Sequence, residues 1–412
     1  MTGSPSPPVP RPAPRRAAAP REGAPPPAAA SGSAPVRRGA AAPRPHARKA
    51  TPMPQPTEAH INRLATAVPD NEVHGYFAGF AARQLAARPR ERRMFDRMLS
   101  KSGIERRFSV LEPIRDPQAP SVDVGGDFAL GAFPGIGTRM EIYDRAAPDL
   151  AMRAVEGLDL SPAERAGITH LVVASCTGFS APGLDLEIAR RLGLPGSVER
   201  TVVGFMGCYA AMNALKIARH VVRSEPEAAV LVVNCELCTL HLKETDDLER
   251  LLTFCLWGDG CSAALVSARA EGFRLDAFRA HVAREGAELM TWDIRDDGFD
   301  MVLSGRVPLA VQEMLAGDAV AVPHDRRAED VSLWAVHPGG RSVLDAVDRA
   351  LDLPPGALHH SREVLRENGN MSSATVMFVL ERMLRTAARG EQGCAMAFGP
   401  GLTAETMTFR AA

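Results

Sequence analysis

Residues 200–224 read RTVVGFMGCYAAMNALKIARHVVRS. The stretch changes period partway along. An apolar strand signal, TVVGFM, gives way at Gly207-Cys208 to a long alanine-rich segment with apolar residues at helical spacing. A strand that ends in glycine and feeds a helix is the grammar of an α/β fold. The sequence around it repeats that grammar. THLVVASC (169–176), AAVLVVNCEL (228–237) and GDGCSAALVSA (258–268) are nearly continuous apolar runs, as expected of strands covered on both faces. GLDLEIARRLGL is a helix closed by Gly193. Downstream, SLWAVHPG runs into a glycine pair, RSVLDAVDRAL and NMSSATVMFVLERMLR follow as helices, and CAMAFGPGLTAETMTFRA supplies two closing strands. Both halves have a strand–site–helix layout, which suggests a pseudo-duplicated α/β domain with its site at the seam. The expected organisation is a Pro/Ala/Arg-rich tail over 1–56, one half over 57–270 and the second over 271–412.

Bulk properties set the outer limits. The chain has 412 residues, is 45% hydrophobic and 24% charged, and has a formal net charge of -1. That balance is uneven. Residues 1–50 hold nine Lys/Arg against the single acid Glu22, so the remaining chain carries about −9. The body gives no sign of nucleic-acid binding. The tail lacks the apolar content to offset its ordering entropy and is expected to be disordered. It reads as a flexible basic tail or as an over-extended gene start with Met53 the true initiator. A transit peptide is a third reading, opposed by its many prolines. No apolar run approaches the ~18 residues of a membrane span, and no signal-peptide core is present, so a cytoplasmic protein is expected. The seven cysteines are odd in number and sit mostly in apolar runs, which points to reduced thiols rather than a disulfide framework. Cys235 and Cys238 have C-x-x-C spacing, yet they end an apolar run and have no second pair to make a metal site.

Four motifs carry chemistry. Cys208 stands where a helix begins, and helix-terminal charge favours a thiolate. The same neighbourhood also suits a packed structural cysteine. His337, in WAVHPGGRSVL, follows an apolar strand and precedes Gly339 and Gly340. It could pair with a thiol or be a hydrogen-bonded core histidine. Asn370, in ENGNMSSA, fits a helix N-cap and equally a donor to a developing oxyanion. Gly399-Pro400-Gly401 forces a tight loop that lets backbone approach a substrate or another loop.

In the order Cys, His, Asn, Gly-Pro-Gly, these motifs resemble the type III polyketide synthases, the chalcone synthase-like enzymes of the thiolase superfamily. The resemblance covers about residues 57–412. It rests on GCYAAMNAL, AVHPGG, GNMSSA, AFGPGLTAE and CLWGDGCSAALV. It implies a five-layered αβαβα thiolase-like fold, a homodimer, acyl-CoA and malonyl-CoA as substrates, and no metal or cofactor. By resemblance, Cys208 is the nucleophile, and His337 and Asn370 stabilise the enolate. Arg97 and Lys101, expected four apart on one helix face, would contact CoA phosphates, with Met94 at a third cation position. Trp257 and Met301 fall at gatekeeper positions. Cys176, Thr177, Cys238 and Ser372 fall on the pocket wall. Ala181 stands where family members pass a methionine into the partner's cavity. With few tyrosines and tryptophans in the chain, an aliphatic cavity is expected, suited to fatty acyl starters and alkylpyrone or alkylresorcinol products. A ketoacyl synthase III-like enzyme making one condensation is the alternative. A non-catalytic acyl-binding scaffold is a remote third.

Overall fold

The structure, a computed structural model, describes residues 57–116, 118–317 and 327–412. The expectation of disorder over 1–56 lies outside the described residues.

Among these residues nine strands form one mixed sheet. In spatial order they are Leu333–Val336, Gln392–Gly399, Thr403–Ala411, Phe273–Val282, His60–Ala67, Asp259–Ser267, Val230–Leu237, His170–Ser175 and Glu199–Gly204. His170–Ser175 pairs parallel with both of its neighbours, as buried apolar runs joined by helices should. The sheet has a seam. His60–Ala67 pairs along its length with Asp259–Ser267, but with Phe273–Val282 only through His60 and Ile61. Beyond that seam the two portions of the sheet separate and face each other.

Two helices fill the space between them, Ala210–Ser224 and Ala374–Thr386. Their shared core takes Val172, Val230 and Val232 from one portion and Ala395, Met407 and Phe409 from the other. Ala210, Ala211, Ala214 and Ala218 are fully buried, and their small side chains let the helix approach both sheets closely. Ile136–Glu156 and Leu184–Leu192 cover the outer face of the first portion, over Leu171, Val173 and Val233. Val307–Ala316 and Arg341–Leu351 cover that of the second, over Trp334, Val336 and Met396. The result is the expected five-layered αβαβα, thiolase-like arrangement.

The turn bearing Cys208 and the loops bearing His337 and Asn370 all lie at one end of the central helices. No described helix is long and apolar enough to cross a membrane.

Candidate active site

The strand Glu199–Gly204 ends two residues before a tight turn, Gly207–Tyr209, and the α-helix begins only at Ala210. Cys208 therefore sits in that turn rather than in the helix itself. Gly207 has φ +75°. A Cβ there would lie 2.2 Å from Pro400 Cδ, so glycine is required for both conformation and space. A Cβ on Gly399 would come within 2.6 Å of Tyr209 and 3.3 Å of the Cys208 nitrogen. The Gly399-Pro400-Gly401 turn, with Gly401 at φ +75°, thus backs Cys208 directly.

Asn370 is not the helix cap expected from sequence. The helix starts four residues later, at Ala374. Asn370 instead docks by its backbone: its N–H donates to the Leu256 carbonyl (2.8 Å), and its carbonyl accepts from Gly258 (3.0 Å). Its Oδ1 accepts from the Ser372 N–H (2.9 Å), which directs the amide nitrogen as a donor, and Nδ2 reaches the Gly339 carbonyl at 3.2 Å. Gly339 in turn lies over the His337 ring, where an added Cβ would be 3.6 Å from Nε2. The Cys208 thiol is within hydrogen-bonding reach of both Ser372 and Asn370. The three residues are therefore joined through Asn370 and Gly339.

The electrostatics differ from the sequence expectation. Burial pushes the Cys208 thiol up to about 12. The nearby Glu236 charge adds to this, and hydrogen bonds from Ser372 and Asn370 only partly oppose it. Desolvation outweighs the turn's N-terminal dipole. Burial also drives the His337 imidazole down to about 3, so it is neutral at physiological pH. Neither ring nitrogen has a hydrogen-bond partner among the described residues. In this state the site holds a thiol and a neutral imidazole, not the ion pair considered from sequence.

Glu236 escaped the sequence reading. It is buried at the end of the apolar strand Val230–Leu237, and burial raises its carboxyl to about 7. It accepts from the Cys176 N–H (2.9 Å), the Thr177 hydroxyl (2.8 Å) and the Ser373 hydroxyl (2.5 Å). The Cys176 sulfur accepts from the Gly207 N–H at 3.0 Å, which ties this cluster to the Cys208 turn. Cys176, Thr177 and Cys238 belong to this buried cluster and line neither of the cavities described next. All seven cysteines are buried, as thiols outside any disulfide.

A groove of about 1020 Å³ opens beside the site, lined by Met94, Met98, Lys101, Leu252, Gly339 and Gly340 among others. Lys101 lies on this wall, but not on a shared helix face with Arg97. The helix Pro89–Leu99 ends before it, and Arg97 does not line the groove. Across Thr253 lies a small inner cavity of about 50 Å³, with both Trp257 and Met301 on its wall. Its other walls are aromatic, with Phe254, Trp292, Phe299 and His241 all facing it, whereas the groove keeps aliphatic walls such as Leu252, Leu256 and Leu303. Two of the three tryptophans in the chain gather here, so a low aromatic total did not mean an aliphatic pocket. The fully buried Arg107, also missed, braces this wall by donating to the carbonyls of Trp257 (2.7 Å) and Phe254 (3.2 Å).

Family models for chalcone and stilbene synthases match the chain, the N-terminal domain over residues 53–270 and the C-terminal domain over 280–412. The chain belongs to this family and is a type III polyketide synthase of bacterial type, an acyltransferase-class condensing enzyme. The alpha-pyrone synthesis polyketide synthase-like Pks18 of Mycobacterium tuberculosis is 34% identical over 383 residues, covering 87% of this chain and 92% of that protein. The 1,3,6,8-tetrahydroxynaphthalene synthase of Streptomyces griseus is 32% identical, covering 84% and 91%. Among solved structures, the type III polyketide synthase domain of Steely1 from Dictyostelium aligns with a TM-score of 0.76 at 22% identity, over 86% of this chain and 99% of that one. PKS-I of the brown alga Ectocarpus siliculosus aligns at 0.75 with 28% identity, over 87% and 99%.

Proposed function

We propose that this synthase loads an acyl-CoA starter on Cys208, extends it with malonyl-CoA by decarboxylative Claisen condensation, and cyclises the chain to an alkylpyrone- or alkylresorcinol-type product. The observation that carries this reading is the convergence of Cys208, Asn370 and the His337–Gly339 loop beside a groove whose wall includes Gly339 and Gly340. Cys208 gives up its proton as its sulfur attacks the starter thioester. The CoA thiol leaves with a proton, and the acyl group stays on the enzyme. Malonyl-CoA then places its thioester oxygen against the Asn370 amide and the His337 ring. Loss of CO2 puts negative charge on that oxygen as an enolate. Two preorganised neutral donors in a dry site stabilise it, each contributing on the order of 3 kcal/mol. The enolate carbon attacks the acyl-Cys208 carbonyl, and the sulfur leaves as the new carbon–carbon bond forms.

The neutral state of His337 suits this role, because a neutral N–H donor needs no proton uptake near pH 7. The pyrone preference draws support from the likeness to Pks18. A homodimer is part of the proposal. The edge strand Glu199–Gly204 is mostly exposed, with Val202 52% and nearby Met206 36% accessible, and such an edge invites pairing with a second copy. A cytoplasmic setting, where thiols stay reduced, fits seven buried cysteines outside any disulfide. We also carry a division of the chain near residue 270 as a proposal.

The test is a panel of acyl-CoA starters of increasing length with malonyl-CoA and no carrier protein, read by mass spectrometry. Pyrones or resorcinols from several extensions support the reading. A single β-ketoacyl product, made only when malonate is carried on a protein, would favour a ketoacyl synthase III-like enzyme.

A further inference from the structure

The short strip Leu256–Gly258 is held along both of its edges. On one edge it pairs with Asn370 as a parallel bridge, through the Leu256 carbonyl and the Gly258 N–H. The Trp257 carbonyl lies between those two groups in sequence and faces the opposite edge, as the pattern of a parallel bridge requires. There Arg107 Nη1 takes it at 2.7 Å and also donates to the Phe254 carbonyl at 3.2 Å. The aliphatic stem of the same arginine meets the residue just before Asn370. Gly369 has φ +68°, and a Cβ there would lie 2.8 Å from Arg107 Cγ. One side chain therefore touches the Asn370 segment directly and also fixes the strip on which Asn370 docks.

Arg107 is itself aimed. Its Nε donates to His74 Nδ1 at 3.0 Å. A guanidinium only donates, so His74 is the neutral tautomer with its proton on Nε2. Burial and the Arg107 charge lower that imidazole to about 4, which keeps Nδ1 an acceptor. Stability alone is a poor reason for such a residue. Arg107 is fully buried, forms no ion pair among the described residues, and its Nη2 has no hydrogen-bond partner there. Burying a charge in this way is costly, and an apolar side chain of similar size often serves a core as well or better. What an apolar side chain lacks is a rigid fork of donors at fixed angles, here directed to the strip, to Phe254 and to His74.

We infer that Arg107, aimed by His74, is the positioning residue that sets the Asn370 amide beside the Cys208 thiol. The inference rests on the condensing reading above and deepens it. Arg107 acts only through Asn370: when the strip shifts, the backbone bonds carry Asn370 with it. A displacement of about 1 Å in a preorganised group costs on the order of a hundredfold in rate.

The experiment is a double-mutant cycle read by kcat for malonyl-CoA decarboxylation. Arg107→Met should lower kcat by about tenfold to a hundredfold in the wild-type background. In an Asn370→Ala background, where there is no amide left to place, the same change should cost less than about threefold. His74→Phe, which removes the acceptor, should show the same dependence on Asn370 with a smaller loss. His74→Asn keeps an acceptor at the position of Nδ1 and should restore kcat to near the wild-type value. If Arg107→Met does not fold, the His74 variants complete the cycle with Asn370→Ala. Equal losses in the two backgrounds would make Arg107 a support of the fold at large and overturn the inference. Wild-type kcat in Arg107→Met would overturn it as well, and both results leave the condensing reading intact. Absence of malonyl-CoA decarboxylation by the wild type would overturn that reading and this inference together.

Discussion

The side-chain amide of Asn370 donates to the Gly339 carbonyl at 3.2 Å, joining the asparagine loop to the histidine loop across 31 positions of sequence. With Oδ1 held by the Ser372 N–H, the amide can only present its nitrogen to the site. The proposed oxyanion donor is thus set in place before substrate arrives.

Asn370→Asp tests that arrangement. The carboxylate can still accept from Ser372, so the loop keeps its shape, but the donor is lost and a negative charge faces the enolate. We expect kcat for malonyl-CoA decarboxylation and for condensation to fall by about 10²–10³, the usual cost of an oxyanion-hole donor. Steady-state kinetics of both reactions measure this, and a change confined to KM would contradict it.

Glu236→Gln tests the buried carboxyl. Its folded value of about 7 lies above the ordinary 4.5, so the folded state holds a proton that the unfolded chain releases. Its contribution to stability is full below about pH 4.5 and is lost as pH rises through 7, on the order of 3 kcal/mol in all. The amide variant should therefore lose less thermal stability than the wild type between pH 5 and 8. With the neighbouring charge removed, the Cys208 thiol should also ionise at lower pH. Rates of iodoacetamide labelling against pH report that shift, and identical profiles would contradict it.

How much of this was legible in sequence depended on how local each feature is. His337 and Asn370 lie within short, glycine-bearing segments whose residue order identifies them without any partner. The strand and helix flanking Cys208 read correctly because apolar periodicity is local as well, although the short turn Gly207–Tyr209 between them did not. Glu236 did not. It looks like one polar residue at the end of an apolar run, and its partners Cys176 and Ser373 lie 60 and 137 positions away. The ionisation of Cys208 was misjudged for the same reason. The turn's dipole can be read from sequence, but the burial that overrides it comes from layers packed on both sides. Cavity chemistry failed similarly: a count of tryptophans says nothing about Trp257 and Trp292 meeting edge to face at 5.9 Å.

Trp257→Phe tests the gate. Trp257 lines the small cavity, across Thr253 from the groove, packed on Trp292 and held through its carbonyl by Arg107. The smaller ring should widen the passage with a modest loss of stability, about 1–3 kcal/mol for a partial core truncation. Relative kcat/KM should move several-fold toward bulkier or longer starters. Competition between short and long acyl-CoA starters measures it, and an unchanged preference would remove Trp257 from the gate.

The most direct test of the account is the position of the acyl group. The protein is incubated with an acyl-CoA starter without malonyl-CoA, quenched in acid, digested, and read by peptide mass spectrometry. The account predicts one acyl mass on the peptide holding Cys208. In Cys208→Ala that mass should be absent, with no polyketide formed, while some malonyl-CoA decarboxylation by His337 and Asn370 persists. Acylation of Cys176 or Cys238 in its place, or polyketide formation by Cys208→Ala, would contradict the account.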